Sequence, residues 1–81
     1  MERDLVWPGG DRHLVRVIAG VGVTEAQFVF AIDKLADALP QARNAVVVLR
    51  TLNEALAELG LQARDLGISP AGWYVSIDRR E

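Results

Sequence analysis

The sequence predicts a small two-layer α/β sandwich, an α+β fold with ββαβαβ order. Three observations carry that expectation. Thr24-Glu25-Ala26-Gln27 and Thr51-Leu52-Asn53-Glu54 each set a Thr three residues ahead of Gln or Glu, at the mouth of an apolar repeat. This is capping-box spacing, in which the two side chains satisfy backbone N–H groups that a helix start leaves unpaired. The run Val46-Val47-Val48-Leu49 precedes the second box, and β-branched side chains suit a strand. Trp73 to Asp78 alternates, with Trp73, Val75 and Ile77 on one side and Tyr74, Ser76 and Asp78 on the other, as in a strand with one more polar face.

Taken in order, Arg3 to Trp7 alternates weakly and stops at Pro8-Gly9-Gly10-Asp11, where Gly accepts positive φ and Pro fixes its own. Arg12 to Ala19 is rich in Val, Leu and Ile, so the two segments read as a β-hairpin. Gly20 to Val23 leads to a helix from Glu25 to about Leu39, with Phe28, Ile32, Leu35 and Leu39 in one stripe. Pro40 ends it, because the residue before a proline avoids the helical region. Gln41 to Asn44 is a polar link, and Ala45 to Arg50 is the expected central strand. A second helix from Leu52 buries Leu52, Leu56 and Leu59, and Gly60 stands where a left-handed stop belongs; the rival is continuation through Gly60, since Ala63 and Leu66 extend the same stripe. Ser69-Pro70 lies in a turn between Gly67 and Gly72, before the last strand. Right-handed crossovers place both helices on one face of the sheet. The alternative is a mainly helical hairpin with a small β-sheet. It makes Gln41 to Leu59 one helix with Val46, Leu49 and Leu56 inward, and it puts Asn53 in the apolar stripe.

Eighty-one residues, half of them apolar, make a single domain (1–81) with more apolar content than a small monomer needs. That points to an oligomer or a protein partner. The chain has no Cys, which excludes disulfides and thiolate metal sites. Its charged first residues do not resemble a signal peptide, and no apolar stretch reaches the roughly 20 residues of a membrane span. A cytoplasmic protein is expected. The net charge of −2 counts against a nucleic-acid protein.

Two expected strands are apolar on both sides. Val46 and Val48 oppose Val47 and Leu49, and Val15 and Val17 oppose Leu14 and Ile18. A large exposed apolar patch is rare on a monomer, so the uncovered face calls for a second copy or for the Leu61–Gly72 segment. Phe30 lies on the helix face opposite the buried stripe, among Asp33, Lys34 and Asp37. The expected function is a non-enzymatic protein–protein interaction or assembly module, self-associating as a homodimer. Phe30, Asp33, Lys34, Asp37, Val47 and Leu49 are its candidate contacts. The alternative is a nucleic-acid-binding accessory or regulatory protein whose sheet face presents Arg12, Arg16, Tyr74, Arg79 and Arg80. A third class, a small-ligand or anion sensor, would use the Gly20–Thr24 turn, but Glu25 stands where phosphate binding wants a small residue.

No catalytic or metal site is expected, and no cofactor. His13, beside Asp11, lacks a recognisable partner and pocket. The pairs Asp33/Asp37 and Glu54/Glu58 are what solvated helix faces produce, and Ser69 and Ser76 complete no triad with His13.

Overall fold

Four strands form one mixed sheet with helices against one face, a two-layer α+β sandwich. The computed structural model describes residues 1–8 and 14–80. The described elements are β1 (Glu2–Val6), β2 (Leu14–Ala19), α1 (Glu25–Ala38), α2 (Ala45–Leu56), β3 (Leu61–Ser69) and β4 (Gly72–Arg79). A 3-10 turn follows each helix. The sheet order is β1-β2-β4-β3, in which β2 and β4 run parallel and the outer pairs are antiparallel.

The first helix forms as its sequence signals. Thr24 Oγ1 accepts from Gln27 N–H at 3.1 Å, and Gln27 Oε1 accepts from Thr24 N–H at 3.0 Å. Phe28, Ile32, Leu35 and Leu39 are buried. Gly60 adopts the expected left-handed conformation at φ 69°. The last strand alternates as read: Trp73, Val75 and Ile77 point to the helices, level with Val15 and Val17 of β2 and with Leu61 and Ala63 of β3. Gly72 is required by close approach. Its φ is 154°, and a Cβ there would stand 2.6 Å from the Leu14 carbonyl oxygen. Of the expected Pro8–Asp11 turn, Gly9, Gly10 and Asp11 lie outside the described residues.

The segment Ala45–Arg50 is not a strand. It is the first half of α2, capped by Asn44, whose Oδ1 accepts from Val47 N–H at 3.0 Å. Thr51 lies inside this helix, and Thr51-x-x-Glu54 caps nothing. Val48, Leu52 and Leu56, four residues apart, are fully buried against the sheet. A β-branched residue loses only a few tenths of a kcal/mol in a helix, whereas burying a Val or Leu side chain contributes about 1.5–3 kcal/mol, so packing overrides propensity. The helix also departs from the helical alternative, because Val46 is 72% exposed and Val48 takes the inward place. Val47 and Leu49 are half-buried on α2 rather than aligned on a sheet face. Val46 to Leu49 therefore presents no two-sided strand that would call for a second subunit.

Asn53 sits where an amide in an apolar stripe would otherwise weigh against a helix. Its Nδ2 donates to the Ala63 carbonyl at 3.2 Å, and its Oδ1 accepts from Ala63 N–H at 2.7 Å. The carboxamide takes the place of a neighbouring strand and closes the free edge of β3 to α2. Further along that edge a bulge between Asp65 and Gly67 breaks the register. Asp65 Oδ1 there accepts from Gly67 N–H at 2.7 Å and from Trp73 Nε1 at 2.9 Å. The Leu61–Gly72 segment thus forms an edge strand and its turn and covers no face. Trp7 Nε1 donates to the Ala42 carbonyl at 3.2 Å, and the rings of Trp7 and Trp73 lie 5.6 Å apart. Among the described residues, no helix is long and apolar enough to cross a membrane.

Candidate interaction surface

Strand alternation sends every second side chain away from the helices, and no described element covers that side. The register aligns this outer face in rows across the sheet. Glu2, Ile18, Ser76 and Arg64 form one row, and Asp4, Arg16, Tyr74 and Gly67 form the next. Val6 pairs with Leu14 in a third. Val6 is 70% exposed and Ile18 36%, while Leu14 and Tyr74 are half-buried. The surface therefore mixes aliphatic, aromatic and guanidinium groups, the chemistry enriched where proteins meet.

Its β1 side is internally neutralised. Arg16 grips Asp4 through two parallel bonds, Nε to Oδ1 at 2.9 Å and Nη2 to Oδ2 at 3.1 Å. The same Nε lies 3.2 Å from Glu2 Oε1. The hydrogen bond from Arg16 holds the Asp4 carboxyl below its ordinary range, and the reciprocal bond raises the Arg16 guanidinium above its own.

The far end of β4 is different. Val21, Gln62, Arg64, Asp78, Arg79 and Arg80 line an open groove of about 980 Å³. Among the described residues its three arginines make no ion pair. Asp78 accepts from Ser76 Oγ at 2.7 Å. Val21, at the tip of the turn before α1, is fully exposed. At the start of α1, the N–H groups of Thr24 and Gln27 are already engaged by the capping box.

The candidate residues read from sequence separate into three places. Phe30 is half-buried against the core, and Lys34 Nζ lies 5.3 Å from its ring centroid, so Phe30 is shielded by its own helix. Asp33 and Asp37 are exposed on α1, while Val47 and Leu49 belong to α2. Arg16 and Tyr74 are register neighbours on the outer face, whereas Arg79 and Arg80 stand at the groove. Arg12 and His13 lie outside the described residues. Glu2, Asp4, Ile18 and Arg64 are surface residues that the sequence does not single out as contacts. Arg64 has no signal in the Leu61–Gly72 segment, which reads as a cover for a face of the sheet and not as its edge. Ile18 is legible as the outward member of an alternating strand. No family model matches the chain, and no curated protein or solved structure matches it either.

Proposed function

We propose that this chain is a non-enzymatic interaction module that self-associates through the uncovered face of its sheet. The carrying observation is the exposure of Val6 and Ile18, with Leu14 and Tyr74 half-buried, around Arg16 on a sheet face that no described element covers, while the other face carries the core. A sheet face that meets water alternates toward polar residues, and Val6, Leu14 and Ile18 are the positions that depart from that rule. Arg16 sits among them with its charge already balanced, which lowers the penalty of excluding water from it. The candidate contacts take no part in this face, since Phe30, Val47 and Leu49 pack against the core within the helical layer and Asp33, Lys34 and Asp37 are exposed on α1. The test is a series of amide NMR spectra at rising protein concentration. Shifts centred on Val6, Ile18 and Tyr74 support the reading, and shifts centred on Phe30 and Lys34 move the interface to the helices.

A second reading keeps nucleic acid as partner, favoured by the three arginines lining one groove. Single-strand binders add stacking platforms to charge, and here both tryptophans are in the core, leaving Tyr74 alone on the face. Saturable, salt-sensitive binding of a short oligonucleotide that is lost on replacing Arg79 and Arg80 by Ala would favour this reading. Absence of binding at low salt would dismiss it.

A further inference from the structure

Resting on the self-association reading, the register assigns the geometry of the pair: we infer that two copies stack outer face to outer face about a two-fold axis parallel to the strands. The row Glu2–Ile18–Ser76–Arg64 has an acid at one edge of the sheet and a base at the other. With strands spaced about 4.8 Å apart, these ends lie about 14 Å from each other, so Glu2 and Arg64 do not meet within one molecule. A two-fold axis lying along the strands, between β2 and β4, lays β1 of one copy over β3 of the other. The row then becomes self-complementary: Glu2 faces Arg64 of the second copy, and this contact occurs twice. In the next row Arg16 faces Tyr74 of the second copy, a cation–π arrangement. Leu14 comes to lie over the flat site of Gly72. An axis across the strands, passing between these two rows, would instead lay β1 antiparallel over β1 and oppose Glu2 to Asp4 of the second copy, acid against acid.

Two details fit this occupant. Arg16 is already satisfied by both oxygens of Asp4, so Glu2 is the replaceable member of that cluster. The groove at Arg64, Arg79 and Arg80 lies at the sheet end where the row places Arg64, and no described acid makes an ion pair with these arginines. A carboxylate arriving from the β1 edge of a second copy supplies the ion-pair partner that Asp78, bonded to Ser76, does not provide within one molecule.

Mixing two charge reversals tests the arrangement. Glu2→Arg alone sets two guanidinium groups against each other at both contacts, and Arg64→Glu alone opposes two acids. Each single variant should self-associate at least about tenfold more weakly than the unmodified chain, because like charges facing each other are strongly unfavourable. An equimolar mixture of the two should form a heterodimer more readily than either variant pairs with itself. Both contacts of that heterodimer join opposite charges: the original Arg64 of one variant meets the original Glu2 of the other, and the two reversed residues meet each other. The double variant, Glu2→Arg with Arg64→Glu, restores opposite charges at both contacts and should recover to within about threefold of the original. Near-UV circular dichroism from the Trp7–Trp73 pair verifies that each variant is folded. Dimers that ignore the single reversals, or a double variant that does not recover, overturn this geometry and leave self-association standing. A chain that stays monomeric at several hundred micromolar overturns both.

Discussion

The two faces of the sheet are built from the same strands and do opposite work. Toward the helices, Val15, Val17, Trp73, Val75 and Ile77 are completely or almost completely withdrawn from water. On the other side Glu2, Asp4, Val6 and Ile18 remain exposed, and Arg16 is held by acids rather than by packing. The difference separates what holds the chain together from what it offers outward. Substitutions on the inner face should therefore change stability, and substitutions on the outer face should change association.

The largest effect is expected at Trp73. Trp73→Ala removes a fully buried ring, its contact with Trp7 and its bond to Asp65, and should destabilise the fold by about 3–5 kcal/mol. Urea unfolding measures this, and a loss under about 1 kcal/mol would contradict the packing described. Next comes Asn53→Ala, which strips two hydrogen bonds from the β3 edge and should cost about 1–3 kcal/mol. It should also speed amide exchange at Ala63, a readout that a purely helical effect would not move.

The smallest effect is a pH dependence. Asp4 titrates below its ordinary value of 3.8 in the folded chain. Its contribution is present above that value and disappears as pH falls through the lower folded pKa. Comparing Asp4→Asn with the unmodified chain from neutral to strongly acidic pH should show a small gap at neutrality that closes in acid. A gap that widens in acid would contradict the assigned pair.

Much of the fold is legible where local chemistry and packing agree. Thr24-x-x-Gln27 caps a helix, Gly60 ends one, and the alternation from Trp73 to Asp78 builds a strand. Legibility fails where the two disagree. Val46 to Leu49 has strand-forming side chains, yet Val48, Leu52 and Leu56 share a helical stripe, and burial decides the outcome. Thr51-x-x-Glu54 has cap spacing, but Asn44 caps earlier. Asn53 has the look of a polar fault in the stripe because its partner, the backbone of Ala63, belongs to a strand that carries little alternation. The candidate surface is half legible for the same reason. Arg16 and Tyr74 can be placed by parity, but Arg64 joins their face only once Leu61 to Ser69 is known to be the edge of the sheet.

Sedimentation equilibrium of the unmodified chain and of Ile18→Glu tests the central claim most directly. A dimer that the single outer-face substitution returns to monomer, with a midpoint of thermal unfolding lowered by no more than about 4 °C, is the predicted result. A strict monomer, or a dimer indifferent to a carboxylate at position 18, would contradict it.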